Sequence, residues 1–180
     1  MIGRRGFLLG SVAVTGVMAL PAHAAPESGL FTGGQGGRVI RVTTLSAEGP
    51  GSFTEAVKAK GPRIVVFEVG GVIDMGRTTI EVKHPFLTIA GQTAPGPGIT
   101  LIRTGIDVKT HDVVMRHLRV YTGADGQPKR SGWEADAFST VAAHNVIVDH
   151  CTFLWAIDEN MSASGPRFTG KSVEEWRLGT

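Results

Sequence analysis

A carboxylate, an imidazole and a thiol stand in a row at Asp149-His150-Cys151. Acid–base or nucleophilic chemistry could be built from them. Cys151 is the only cysteine, so the chain can form no internal disulfide and no paired-thiolate zinc site. It sits within an apolar strand pattern, where a buried small side chain is expected rather than a nucleophile. Asp149-His150 invites an acid–base reading, but an internal repeat sets Asp149 against Arg116 and His150 against His117. An Arg116–Asp149 ion pair is therefore the expected role. The glycine-rich run Phe31-Thr32-Gly33-Gly34-Gln35-Gly36-Gly37 could cradle a phosphate. It lacks both the strand–GxGxxG–helix order and the Lys-Ser/Thr of a P-loop.

The elements that would position such groups are short. Glycine is abundant, at 25 of 180 residues, and aromatic residues make up 7%. Beyond Pro26 nearly every stretch meets Gly or Pro within a dozen residues, which predicts short strands and tight turns rather than long helices. Strands are expected at 39–42, 64–67, 72–73, 79–82, 87–89 and 99–102, with longer ones at 113–120 and 146–153. One helix is expected over 53–60. Ser52 and Glu55 have capping-box spacing, Phe53, Ala56 and Val57 share a face, and Gly61-Pro62 stops it. Three segments align without gaps: His84 to Ile89, His111 to Arg116 and His144 to Asp149. Repeats of this length suggest a solenoid whose passes stack in parallel, with Phe86, Val113 and Val146 in one column and Val114 beside Ile147. On pattern alone, a chance likeness of Val/Ile strands is the alternative.

Residues 1–24 read as an export signal preceding a domain over 25–180. Arg4-Arg5 is a positive n-region, Phe7 to Leu20 a short apolar stretch, and Ala22-His23-Ala24 a cleavage site. Arg4-Arg5-Gly6-Phe7-Leu8 looks like a twin-arginine signal, with Sec export as the alternative. A periplasmic or extracellular location with no stable membrane anchor is expected. Without that segment 16 basic residues face 16 acidic ones. Near-neutral charge argues against a nucleic-acid partner, and an acidic ligand would need a local cation.

Three stretches of the first half resemble the opening of the pectate lyase family of polysaccharide lyases: Gly36-Gly37-Arg38-Val39-Ile40-Arg41-Val42-Thr43, Gly49-Pro50-Gly51-Ser52 and Gly61 to Phe67. Ile89-Ala90-Gly91-Gln92-Thr93-Ala94-Pro95-Gly96 is similar to a stretch of its bacterial branch. Asp136-Ala137-Phe138-Ser139, Asn145 to Cys151 and Trp155-Ala156-Ile157-Asp158-Glu159 continue the likeness in order. The resemblance implies an all-β, right-handed parallel β-helix with a short N-terminal capping helix. It also implies calcium-assisted β-elimination on an acidic, polygalacturonate-like polysaccharide, and a monomer is expected. Asp136 matches the family's acid before the Asn-Val-Ile strand and Asp158 the last acid of its calcium cluster, so the resemblance implies both as calcium ligands. Leu154 stands where another acid is usual, which brings in Glu159 as a substitute, although alternation in an ideal strand would point it away from Asp158. Trp133, in a polar glycine-flanked loop, is the preferred sugar contact, with Lys129 and Arg130 beside it to face an anionic chain. For Trp155, sugar stacking and packing at a strand end both stand.

No residue matches the family's catalytic arginine, and Ser172 and Glu175 suggest the approach to another pass, so an N-terminal fragment, truncated on its C-terminal side and inactive alone, is expected. Two alternatives remain. A glycoside hydrolase on the same fold needs a second acid paired with Asp136. A non-catalytic, carbohydrate-binding or adhesin-like β-helix needs no arginine at all.

Overall fold

The structure, a computed structural model, describes residues 32–128 and 130–165. The export segment, Lys129 and the stretch around Ser172 and Glu175 lie outside the described residues. The regular elements are almost all strands: β1 (Arg38–Val42), β2 (Arg63–Phe67), β3 (Gly71–Asp74), β4 (Ile80–Val82), β5 (Leu87–Ala90), β6 (Ile99–Ile102), β7 (Ile106–Val108), β8 (His111–Arg116), β9 (Leu118–Tyr121), β10 (Phe138–Val141), β11 (His144–Asp149), β12 (Thr152–Leu154) and β13 (Ser162–Ser164). One α-helix, α1 (Phe53–Lys58), and one 3-10 turn at Gly91–Thr93 interrupt them.

The strands form three parallel sheets, ordered β1-β2-β5-β8-β11, β3-β6-β9-β12 and β4-β7-β10-β13 along their stacks. From β2 onward the chain visits the three sheets in rotation, so each strand from β5 on pairs with the one three before it, while β1 adds to the edge of β2. Inward residues of all three sheets, among them Leu87, Ile89, Leu101, Leu118, Ile106 and Phe138, belong to one buried cluster. No pass could bury its apolar side chains alone, and each such side chain buried contributes roughly 1.5–3 kcal/mol.

Helix α1 begins as expected and ends two residues earlier. The Ser52 hydroxyl accepts from the Glu55 N–H at 3.2 Å, and the Glu55 carboxylate reaches back to the Gly51 N–H at 3.0 Å. Phe53, Ala56 and Val57 are buried, and the helix packs on β1 and β4.

The repeat is confirmed at one junction and corrected at the other. Val146 pairs with Val113 and Ile147 with Val114. Asp149 pairs with Arg116, whose Nε lies 3.3 Å from Asp149 Oδ2. The His117 and His150 rings stack 4.8 Å apart, as do those of His111 and His144. At the earlier junction, however, Leu87 and not Phe86 pairs with Val113. Leu87, Ile89, Val113 and Met115 all face the core, and a one-residue slip would turn Phe86 and Thr88 inward instead. The equivalence runs through backbone shape. Phe86, Asp112 and Asn145 occupy matching positions with φ of 59°, 54° and 53°. The likeness of His84 to His111 is therefore coincidental.

The two long expected strands are each divided. His117 (φ 54°) separates β8 from β9, and His150 (φ 52°) separates β11 from β12. At each point the chain turns from one sheet to the next.

Candidate metal centre

Asp136 lies just before β10, and Asp158 and Glu159 lie one pass later, in the loop 155–161 between β12 and β13. Backbone bonds lay the second segment on the first. The Ala137 N–H donates to the Glu159 carbonyl at 3.0 Å, and the Ile157 N–H to the Ala135 carbonyl at 3.4 Å. Within the loop, the Ala156 N–H donates to Asn160 Oδ1 at 3.0 Å. The Glu159 N–H donates to Asp136 Oδ1 at 3.0 Å, tying the two passes together at the acids themselves.

Below Asp136 the earlier pass supplies a platform. The Ile106 N–H donates to the Ala137 carbonyl at 3.1 Å, and a Cβ placed on Gly105 would stand 1.9 Å from the Asp136 carbonyl oxygen. Only a residue without a side chain lets the backbone of Asp136 settle there.

One carboxylate oxygen from each of Asp136, Asp158 and Glu159 lies within 4.8 Å of the others. The strand alternation expected to separate Asp158 from Glu159 does not operate, because Asp158 lies in a bend and both residues lie outside any strand. Their proximity has an electrostatic cost. Hydrogen bonding with Asp136 first, then the charges of Asp158 and Asp136, hold the Glu159 carboxyl above the ordinary glutamate range. Leu154, where a further acid would be usual, is the last residue of β12 and pairs with Tyr121.

The structure separates the other candidates. Trp133 is half-buried and its indole N–H donates to the Gly123 carbonyl at 3.1 Å. Trp155 is the more open of the two, 67% exposed. Its place at a strand end suits packing, yet the ring stands in solvent. Arg130 is exposed, with φ 62°. The Cys151 thiol is half-buried against the core and donates to the Asp149 carbonyl at 3.4 Å. Burial pushes its pKa up, which suits an inert thiol rather than a nucleophile.

Gly105 is the positioning residue that sequence reasoning missed. A glycine ahead of a three-residue strand carries no signal of what the next pass will set against it.

No family model matches the chain. Among curated proteins it is similar to "Probable pectate lyase C" of Aspergillus fumigatus, with 37% identity over 156 residues, which cover 86% of this chain and 35% of that one. It is likewise 40% identical over 134 residues to "Probable pectate lyase C" of Emericella nidulans, covering 74% of this chain and 30% of the relative. The chain thus spans about a third of the length of the curated relatives it matches.

Proposed function

We propose, for a chain that belongs to the pectate lyase family, that the whole protein is an exported lyase that cleaves polygalacturonate or a related polyuronate by calcium-assisted β-elimination. In this reading the three sheets are faces of a right-handed parallel β-helix, and α1 covers its first pass. Asp136, Asp158 and Glu159 hold the cation. The observation that carries the reading is the convergence of three carboxylates from two stacked passes. An all-oxygen donor set of formal charge −3, with Asp158 and Glu159 open to further ligands, suits a hard cation that takes six to eight oxygens.

β-Elimination removes the ring proton beside the uronate carboxylate and expels the glycosidic oxygen on the adjacent carbon. Calcium, when bound, supplies positive charge against that carboxylate as negative charge builds on the ring. The chain's own part is placement. The passes joined at Ala137, Ile157 and Glu159 hold the acids in one cluster before any ligand arrives, so little ordering remains to be done on binding. We assign the proton-abstracting base to none of Arg63, Arg103, Arg116 or Arg119. Arg63 is buried, Arg103 lies between Asp74 and Asp125, Arg116 pairs with Asp149, and Arg119 bonds Thr100 and the Pro97 carbonyl. Export rests on residues 1–24. No helix among the described residues is long and apolar enough to cross a membrane.

The test is the nature of the cut. β-Elimination leaves an unsaturated uronate whose double bond is conjugated with its carboxylate and absorbs in the ultraviolet. The full-length protein is expected to release this chromophore from polygalacturonate in step with new reducing ends. Reducing ends without chromophore would make the protein a hydrolase, and neither product would reject the enzyme reading.

A further inference from the structure

We propose that the indole of Trp155 is a stacking platform for the apolar face of a pyranose ring, in a polyuronate chain that also engages the acidic cluster. The inference rests on the proposed polyuronate reading and deepens it by assigning a sugar-binding residue.

Three observations converge on Trp155. It is the most exposed of the large hydrophobic side chains described, at 67%, so the core gains little from it. Its backbone has φ 57°, a conformation unfavourable for a bulky aromatic and kept only where the surroundings impose it. They do impose it. The Trp155 carbonyl accepts from the Gly123 N–H at 2.9 Å, and the Leu154 carbonyl from the Thr122 N–H at 3.1 Å. The indole is also braced, with the Tyr121 ring centred 5.1 Å away and inclined by 60°. An exposed aromatic surface held by its backbone and by a second ring is pre-ordered for a flat, partly apolar ligand.

Its position identifies the ligand class. Trp155 opens the same loop that carries Asp158 and Glu159, and three residues of chain span at most about 11 Å. One oligosaccharide can therefore lay a ring on the indole while a carboxylate of the same chain approaches the acids through a cation. Trp133 is less suited, since it is half-buried and offers less ring surface.

Titration of a defined oligogalacturonate into the full-length protein with saturating calcium tests this, comparing wild type with Trp155→Ala and Trp155→Phe. The alanine variant is expected to bind about tenfold more weakly, and the phenylalanine variant within about threefold of wild type. Calcium titrated alone is expected to bind both variants as it binds wild type. Unchanged oligosaccharide affinity in Trp155→Ala would overturn the platform and leave the lyase reading standing. A parallel loss of calcium affinity would make Trp155 a structural prop of the acidic loop, and also overturn it. No binding by wild type would overturn both.

Discussion

Replacing Arg63 by alanine is expected to remove about 3–5 kcal/mol of stability. Arg63 is fully buried, and no carboxylate lies within ion-pair distance of it among the described residues. Its charge is instead spread over backbone carbonyls. Nη1 donates to Gly61 and Pro85, each at 3.1 Å, and Nη2 donates to Val57 at 2.7 Å and His84 at 3.2 Å. One guanidinium thus joins the last turn of α1, the turn ahead of β2 and the turn ahead of β5. Burial foremost, and the charge of Arg38 after it, depress its pKa to about 10. It therefore stays charged at neutral pH, and its bonds are charge-assisted. Alanine would leave a cavity and several carbonyls without partners. Lysine, a compact charge with three donors in place of the planar fork, should recover part of the loss. Urea unfolding reads the effect as a lower midpoint at unchanged slope. A midpoint equal to wild type would show that the carbonyls find other partners.

Gly105→Ala is the second large effect, and it links fold to site. The new Cβ would meet the Asp136 carbonyl oxygen at 1.9 Å, a backbone atom that cannot rotate away as a side chain could. Relief requires the β10 pass to lift from the β7 pass, straining the Ile106–Ala137 bond at 3.1 Å. The expected cost is about 1–3 kcal/mol in stability, with calcium affinity at least tenfold weaker as Asp136 is displaced from its partners. Calorimetric calcium titration, with the unfolding midpoint alongside, measures both. Wild-type calcium affinity in this variant would show that the cluster does not depend on the stacking beneath it.

What the sequence made legible follows from which signals are local. Strands β1, β2, β3, β5 and β6 announce themselves through β-branched runs, and α1 through Ser52, Glu55 and the Gly61-Pro62 stop. Strands β7, β10 and β13 were missed. They are three or four residues long, with polar positions such as Asp107, Ser139 and Ser162, and exist chiefly through pairing with neighbouring passes. The corners at His117 and His150 were missed for a related reason. Gly or Pro usually marks a turn, whereas here a histidine takes the left-handed conformation. Asp136, Asp158 and Glu159 became candidates through family resemblance and not through spacing. Strand alternation argued against Asp158 and Glu159 converging, and the bend that overrides it depends on backbone bonds to Ala135 and Ala137. The Arg116–Asp149 pair was legible because one register step of a repeat specifies its neighbour.

If Asp136, Asp158 and Glu159 hold the cation, cleavage depends on calcium. The direct measurement is chromophore release from polygalacturonate by the full-length protein, first stripped with excess chelator and then given back a single cation. Release is expected to stop in chelator and to return with calcium. Magnesium, which demands near-ideal octahedral geometry and gives up its water reluctantly, is expected to restore little. An Asp136→Ala variant should need much more calcium to reach the same rate. Full release in chelator, or an unaltered calcium requirement in the variant, would contradict the assignment of Asp136, Asp158 and Glu159 as the cation site.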